Sequence, residues 1–372
     1  MKQEKTQKTS TWIDENKILN LIKAVNEGLD EILIQMREDK VSKVIPVYES
    51  IQPPQSHLQV TCDSVLIPIE PIKNYYPRLP ADILAKTEEV LKILEDEDVT
   101  IVAIDTGRFT YGPHAIINFV VINVGYWYYR YKTKFGKCAN VSRLLSDITR
   151  DVDAQIRAKE FEKEVIDSLL DEVQGEKVFV LLDECLSLGY TLSFAEDARS
   201  EMINRVVEFI DAVMRKDAIP VGIFYTRASN IYRGILMLNP SVDIPRVSDV
   251  ALMNRVLDQF SRSPLFAAYN RAICDKSLKI LAFYIKVKEG NILRIEFPEQ
   301  LRDRVDDIHL IVAFQSILGG GYPLALQRAH DKAVLDAEYR RLILEEVCRR
   351  LGLPITDLIL TKKQIRKAWP VE

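Results

Sequence analysis

Two aspartates stand at the carboxyl ends of apolar segments that are typical of buried strands. Asp105 closes the segment VTIVAID, and Asp183 closes the segment KVFVLLD. If the two strands are parallel neighbours, their carboxyl ends meet at one edge of a sheet and bring the carboxylates together. Adjacent like charges are costly without a cation between them, and carboxylate oxygens suit Mn²⁺ or Mg²⁺. The pair therefore predicts a divalent metal site, whereas either aspartate alone would equally suit a turn or a helix cap at the end of its strand.

A glutamate on the helix between these strands is a third candidate ligand. The buried face of the segment IRAKEFEKEVIDSLL is marked by Phe161, Val165, Ile166 and Leu169. Helical periodicity puts Glu162 near the middle of this face, where a carboxylate needs a partner. Glu162 could therefore ligate the metal, or it could pair with Arg157 or Lys159. Glu184, which follows Asp183, could add a further ligand or point to solvent.

The elements that position these carboxylates follow the order β-β-β-α-β-α-β. The first strand ends at Asp105, and the segment 114–135 predicts two long strands that meet near Asn123–Gly125. A long helix from about Leu144 to Val173, the strand KVFVLLD, a second helix and the strand IPVGIFYT follow. Helical crossovers imply parallel pairing, so the sheet is mixed, with helices packed on it. This order matches an α/β fold of the ribonuclease H-like class.

The remaining segments predict additions on both sides of this core. Before the core, residues 14–38 and 81–96 have helical periodicity, and the proline-rich residues 45–80 indicate an irregular or edge-strand segment. After the core, the sequence predicts helices at Asp249–Phe260 and Ser263–Cys274, a hairpin with its turn at Glu289–Asn291, and helical segments near 303–317 and 323–351.

The composition is typical of a folded protein without a global nucleic-acid signature. The 372 residues are 47% hydrophobic and 28% charged, with a formal net charge of −4. These values argue against a disordered chain, and any site for a polyanion has to be local. Five scattered cysteines without a C-x-x-C pair, and a polar N-terminus without a signal-peptide pattern, predict reduced thiols and a cytoplasmic location.

The segment YWYYRYKTKFGK combines cations with aromatic rings. Its alternating side chains are the cations Arg130, Lys132 and Lys134 and the aromatics Tyr129, Tyr131 and Phe135. Such a pattern suits the phosphates and stacked bases of single-stranded DNA. It equally suits an edge strand whose lysines prevent aggregation and whose rings pack inward.

Several segments resemble motifs of the NurA nuclease family, which has a ribonuclease H-like core. VAIDTGR and LLDECLSL resemble the family's strands that end in D-G-S and L-D-G-S-L. VGIFYTRAS resembles its last core strand, RIEFPEQ its E-F-P strand, and GGGYPLALQRAHDKAV its G-Y-P-x-x-L-x-x-A-H helix. The resemblance covers most of the chain after about residue 95. Thr106 and Glu184 depart from it, because each replaces the glycine that follows an aspartate.

The resemblance implies a homodimeric, Mn²⁺-dependent deoxyribonuclease with 5′-to-3′ exonuclease and single-strand endonuclease activity. It also implies a partner, the hexameric ATPase HerA, with which such nucleases act in DNA end resection during double-strand break repair. The segment GGGYP is not a P-loop, so energy for opening a duplex would come from the partner. The corresponding division of the chain is an extension at 1–95, a nuclease domain at 96–352 with its core at 96–230, and a tail at 353–372.

The resemblance assigns catalytic or metal-binding roles by position. The residues concerned are Asp105, Glu162, Asp183 and His330, with Glu164 as the alternative helix glutamate and Tyr225 near a family polar position. Two cations held by the three carboxylates would flank the scissile phosphate, one activating water and the other stabilising the leaving oxygen. His330 shares the apolar face of its helix, so it is either a core histidine or, as the resemblance favours, a metal ligand or general acid.

Two rival functions remain open at the level of sequence. The replacements at Thr106 and Glu184 would suit a catalytically weak or inactive subunit that docks on the ATPase and guides DNA. The same fold could also serve a resolvase-like or RNA-cleaving enzyme. The predicted helix at 14–38 is a candidate contact for a dimer or the ATPase, or it packs on its own domain.

Overall fold

The computed structural model describes residues 18–25, 29, 39–55, 64–73, 87–111, 118–146, 148, 150–270, 273 and 278–352. In these ranges, nine strands form one mixed sheet. The strands are β1 (Ser64–Pro68), β2 (Val99–Tyr111), β3 (Phe119–Arg130), β4 (Phe135–Ser146), β5 (Lys177–Leu182), β6 (Ala218–Phe224), β7 (Phe266–Asn270), β8 (Ile280–Lys288) and β9 (Asn291–Pro298). Their order across the sheet is β1-β7-β8-β9-β6-β5-β2-β3-β4.

Helices cover both faces of this sheet. They are α1 (Lys40–Ser50), α2 (Thr87–Asp96), α3 (Asp151–Glu172), α4 (Glu196–Arg215), α5 (Asn230–Leu238), α6 (Asp249–Val256), α7 (Val305–Leu318), α8 (Leu324–Ala333) and α9 (Ala337–Leu351). One buried cluster joins the sheet to α1, α3, α4, α5 and α6, and another joins its opposite face to α2, α7 and α8. This double cover explains why β5 is a continuous apolar run rather than an alternating one.

The predicted ribonuclease H-like core is confirmed by the pairing of its strands. β2 pairs antiparallel with β3, and β3 pairs antiparallel with β4. β5 joins β2 in parallel and β6 joins β5 in parallel, with α3 and α4 as the crossovers. The C-terminal strand β9 then pairs antiparallel with β6, and β8, β7 and β1 extend the sheet beyond it. The N-terminal strand β1 therefore belongs to the same sheet as the core.

The predicted turn at Asn123–Gly125 is wrong, because β3 runs straight through these residues. The hairpin turn lies instead at residues 131–134, where Lys134 adopts a positive φ of 54°. Asparagine and glycine favour turns in general, but here they contact helix α8. As a result, Leu144 lies in β4, and helix α3 begins at Asp151 rather than near Leu144.

The predictions for the flanking segments have mixed outcomes. The hairpin β8–β9 is confirmed, with Gly290 at a φ of 72° in its turn. The predicted helix Asp249–Phe260 ends at Val256, and the predicted helix Ser263–Cys274 is wrong because β7 occupies its middle. β7 is a strand because β1 and β8 pair with it on both sides, which outweighs the helix propensity of its alanines.

The proline-rich segment contains more regular structure than its sequence indicates. Helix α1 carries Pro46 in its interior, and β1 is an edge strand of the sheet, as predicted for part of this segment. Of the predicted helix at 14–38, residues 18–25 and 29 are helical, and the others lie outside the described residues. Likewise α2 covers the described part of the predicted helix at 81–96.

Candidate active site

The two aspartates lie side by side where the parallel pairing of β2 and β5 ends. Ile104 is the register partner of Leu182, so Asp105 and Asp183 are the next residues on the two neighbouring strands. Asp105 does not end its strand, however, because β2 continues to Tyr111 against β3. Partial burial, together with the negative charges of Asp105 and Glu184, raises the pKa of Asp183. The edge therefore concentrates negative charge, as the strand pattern predicts.

His330 on helix α8 contacts the first aspartate directly. Its Nδ1 lies 2.7 Å from Asp105 Oδ2, and the amide of Thr106 donates to Asp105 Oδ1 at 2.7 Å. A carboxylate only accepts hydrogen bonds, so Nδ1 carries the proton and Nε2 is directed to other partners. The imidazole is 62% exposed, so a substrate can reach it. His330 is thus a surface residue of the site and not a core histidine.

Two glycines of the sheet allow α8 to approach closely enough for this contact. A Cβ atom at Gly107 would lie 2.1 Å from the carbonyl oxygen of Ala333, and one at Gly125 would lie 2.3 Å from that of Ala329. Any side chain at these positions would push the helix away from β2 and β3. The two glycines therefore allow the close packing of α8 on the sheet that places His330 within hydrogen-bond distance of Asp105.

Asn123 fixes the carboxyl end of α8 on the same surface. Its Nδ2 donates to the carbonyl oxygens of Lys332 at 2.7 Å and Ala333 at 2.9 Å, which the helix leaves without intrahelical partners. Asn140 Nδ2 and Ser142 Oγ on β4 donate to Asn123 Oδ1 and hold its amide in this orientation. Sequence reasoning missed this role, because these contacts join segments about two hundred residues apart.

Glu162 is buried on α3 and faces the same edge, as its helical position predicts. Lys159 Nζ lies 2.7 Å from Glu162 Oε2 and 2.6 Å from Glu184 Oε1, so the pairing with lysine that the sequence left open is present. Burial raises the pKa of Glu162 to about 7, assisted by the charges of Glu184 and Asp105 and opposed by Lys159. The alternative glutamate, Glu164, pairs with Arg143 at 3.0 Å on the exposed side of the helix.

Two stacked tyrosines border Asp183. The hydroxyl of Tyr322 donates to the carbonyl oxygen of Ile223 at 3.3 Å and lies near the Asp183 carboxylate, whose pKa it lowers. The Tyr322 ring stacks on that of Tyr225 with centroids 5.4 Å apart and planes at 24°. Tyr225 follows β6 directly and is 57% exposed. The structure therefore brings Tyr225 to the edge, and it adds Tyr322, to which the sequence assigned no role although it lies in the GGGYP segment.

A buried ion pair holds the loop that carries Asp183 and Glu184. Ser187 donates to Glu296 from its amide at 2.7 Å and from its hydroxyl at 2.8 Å. Glu296 also pairs with Arg294 at 2.5 Å, and both charged side chains are almost fully buried. The carbonyl oxygen of Glu184 packs against Gly222, where a Cβ atom would lie only 2.5 Å away. β9 and β6 thus fix the path of the chain just after Asp183.

The predicted DNA-binding cations lie away from this edge. Arg130 pairs with Asp98 at 2.5 Å, Lys132 lies 3.6 Å from the same carboxylate, and Lys134 pairs with Glu95 at 3.0 Å. Arg130 is the register partner of Thr100, five positions before Asp105 on β2. That separation is about 17 Å along a strand. The contacts agree with the structural interpretation of this segment more closely than with a DNA surface at the aspartates.

The donor chemistry of the edge fits a hard divalent cation. Asp105 and Asp183 offer carboxylate oxygens, and partial burial together with nearby negative charge raises the pKa of Asp183, which a bound cation would oppose. In the part of the chain that the structure describes, no group of three or more His, Cys, Asp or Glu side chains is close enough together to hold a metal ion. The fit therefore rests on the aspartate pair.

Sequence and structure comparisons identify one family and several similar solved structures. The sequence model of the NurA domain family matches residues 99–335. A NurA crystal structure is similar at 11% identity and a TM-score of 0.42, covering 72% of this chain and 95% of that chain. A NurA bound to dAMP and manganese is similar at 12% identity and a TM-score of 0.38, covering 89% and 97%.

A nuclease of another name is also among the similar structures. The catalytic domain of human endonuclease V is similar at 11% identity and a TM-score of 0.36, covering 74% of this chain and all of that chain. No curated protein matches the sequence significantly. Within the described residues, none of the helices is both long and apolar enough to cross a bilayer.

Proposed function

The chain belongs to the NurA family, and from that premise we propose that it is a metal-dependent nuclease that hydrolyses DNA. The observation that carries the proposal is the carboxylate edge, where Asp105 bonded to His330 lies beside Asp183. Phosphodiester hydrolysis needs an activated water and stabilisation of the negative charge that develops on the phosphate. The edge offers groups for both requirements, and the His330 imidazole among them is exposed to solvent.

Asp105 and Asp183 are the residues that would hold the cation. When bound, a divalent cation supplies Lewis-acid activation of water and neutralises charge at the phosphate. Glu162, the predicted third ligand, borders the same edge and is engaged by Lys159 in this structure. Because the family includes a NurA bound to dAMP and manganese, Mn²⁺ is the first metal to test, and Mg²⁺ is the second.

His330 would handle the proton of the reaction. With Nδ1–H donated to Asp105, the neutral ring has its lone pair on Nε2, which can accept a proton from the attacking water. After protonation the same atom can deliver that proton to the leaving oxygen. Asp105 stabilises the imidazolium and keeps the ring in one orientation. His330, which helix α8 places at the edge of the sheet, would thus act first as a general base and then as a general acid.

The tyrosine pair would receive a base of the DNA. Tyr225 presents an exposed ring beside Asp183, and this ring stacks on the ring of Tyr322. Stacking on an aromatic ring is tolerant of sequence and suits an unpaired end better than an intact duplex. This supports single-stranded DNA and DNA ends as substrates. The proposed activities are 5′-to-3′ exonuclease and single-strand endonuclease.

The proposed assembly is a homodimer that works in end resection with a HerA-type hexameric ATPase. The family assignment carries this part of the proposal. The described part of the N-terminal helix adds a surface, because its apolar side chains are 40% to 62% exposed. The exposed residues are Ile18, Leu19, Leu21, Ile22, Val25 and Leu29. Such a stripe would become buried against a second copy or the ATPase.

A nuclease assay with matched variants tests the function. We expect single-stranded DNA labelled at either end to be cleaved with Mn²⁺ or Mg²⁺ and to survive in EDTA. Asp183→Asn, which keeps the side-chain shape, should lower the rate to below about one hundredth of wild type, since a metal ligand is lost. Glu164→Gln on the exposed side of α3 is the control and should keep full activity. Comparing the two labels reports the direction of digestion.

The second candidate function is a DNA-guiding subunit with little or no activity of its own. It is favoured by Lys159, which engages Glu162 and Glu184, and by the absence of a group of three metal-binding side chains among the described residues. This candidate predicts no Mn²⁺ binding and no cleavage even with the ATPase present. Wild type and Asp183→Asn that are equally silent under those conditions would refute the nuclease.

A further inference from the structure

A lysine ammonium is built into the acidic edge. Lys159 Nζ lies between Glu162 Oε2 at 2.7 Å and Glu184 Oε1 at 2.6 Å. The lysine side chain is only 6% exposed, and its Nζ lies 4.6 Å from the centroid of the Phe209 ring. Lys159 and Glu162 are one helical turn apart on α3, whereas Glu184 comes from the loop after β5. The ammonium therefore ties the helix to the strand edge.

The charge state of this lysine follows from its two partners. Two carboxylate oxygens, Glu162 Oε2 and Glu184 Oε1, lie within 2.7 Å of its Nζ, and such neighbours favour the charged form of an amine. The ammonium is thus compensated by two carboxylates. A neutral amine would leave two buried or half-buried carboxylates facing each other without compensation.

The four carboxylates of the edge consequently fall into two pairs. Glu162 and Glu184 share the ammonium. Asp105 contacts His330 at 2.7 Å, and among the described residues neither Asp105 nor Asp183 pairs with a lysine or an arginine. Only the aspartate pair therefore still needs a cation. A second ion at Glu162 would have to displace an ammonium that has little contact with solvent.

On the basis of this division, and of the proposed nuclease function, we infer that Lys159 takes the place of a second divalent ion. The site would then bind one divalent cation, at Asp105 and Asp183. Two-ion nuclease sites use the second cation to stabilise charge on the substrate. In this chain the Lys159 ammonium would supply part of the positive charge that a second metal ion provides elsewhere, and it would do so at any metal concentration.

Metal stoichiometry tests the inference without relying on activity. Mn²⁺ binding to the full chain is measured by titration calorimetry and by the electron paramagnetic resonance signal of unbound Mn²⁺. Wild type should bind one Mn²⁺. Lys159→Met, which keeps contact with Phe209 but removes the charge, should bind two, with the first ion held roughly tenfold more tightly because a nearby positive charge is gone.

Two further variants complete the experiment. Lys163→Met removes a lysine one turn along α3 that pairs with Asp167, away from the edge, and should bind Mn²⁺ as wild type does. Lys159→Gln keeps a hydrogen-bond donor between the glutamates and is measured beside Lys159→Met, so that one folded variant without the charge is obtained. Circular dichroism verifies folding before each titration.

The outcomes separate the inference from the proposed function. Two ions bound to wild type would overturn the inference and leave the nuclease intact. One ion in wild type and one ion of unchanged affinity in both Lys159 variants would also overturn it. No Mn²⁺ binding by wild type, together with no metal-dependent cleavage, would overturn both. One ion in wild type and two in a charge-free variant supports the inference.

Discussion

The buried pair of Arg294 and Glu296 should control both the stability of the fold and the position of the active edge. Their side chains are 2% and 0% exposed, and Glu296 accepts two hydrogen bonds from Ser187 in addition to its contact with Arg294. Glu296→Ala removes the countercharge of a buried guanidinium and both acceptors of the loop. We expect the free energy of unfolding to fall by about 3–5 kcal/mol.

This magnitude is large against the whole stability of a domain, which is about 5–15 kcal/mol. The charge left unpaired accounts for most of the loss, so removing both charges should cost much less than removing one. Arg294→Met with Glu296→Leu keeps the volume apolar and should recover at least about 2 kcal/mol relative to Glu296→Ala. The hydrogen bonds from Ser187 remain lost in the double variant, so its loop and its nuclease activity should stay impaired.

Urea unfolding followed by circular dichroism measures these differences. Glu299→Ala is the matched control, since Glu299 pairs with Lys279 at 3.4 Å in an exposed position just after β9. Its loss should be below about 1 kcal/mol. A loss of less than about 1 kcal/mol for Glu296→Ala would refute the reasoning. A double variant as unstable as the sum of its single changes would refute it as well.

Two further predictions concern the histidines. His330→Gln should lower the nuclease rate by a factor of about 10²–10⁴, because the proton acceptor is lost. The free energy of unfolding should change by less than about 1 kcal/mol, since the contact of His330 with Asp105 is half-exposed. Nuclease rates and urea unfolding, measured on the same preparations, check both expectations. Burial lowers the pKa of His309 from 6.5 to about 4, with its ring bonded to the carbonyl oxygen of Phe260 at 2.9 Å. Between pH 6.5 and pH 4, His309 is therefore protonated in the unfolded chain but not in the folded chain. The free energy of unfolding keeps its full value above pH 6.5 and falls by up to about 3 kcal/mol as the pH drops to 4. Urea unfolding between pH 7.5 and pH 4.5 should show a steeper loss for wild type than for His309→Gln, and equal slopes would contradict the assignment.

The strand and helix patterns predicted where the carboxylates of the candidate site lie, because that information is local. The apolar runs before Asp105 and Asp183 gave the strands, and the crossover rule gave their parallel pairing. The helical face of α3 distinguished Glu162 from Glu164 in the same way. These residues lie on regular elements whose periodicity can be read directly from the chain.

The parts that the sequence did not predict depend on distant partners. Asn123 and Gly125 have the residue types of a turn, but their role is set by α8, which lies about two hundred residues later. The choice of Glu162 between metal and Lys159 depends on Glu184, which arrives from a different loop. β7 is a strand only because its neighbours in the sheet pair with it. Local propensity cannot report any of these contacts.

The position of His330 has a consequence for how the protein is made. His330 lies 225 residues after Asp105, and it reaches the aspartate only when α8 has docked on Gly107 and Gly125. A chain whose synthesis has reached only β6 contains both aspartates and lacks this histidine. The proposed proton transfer by His330 would therefore become available only when α8 has been synthesised and has docked on the sheet.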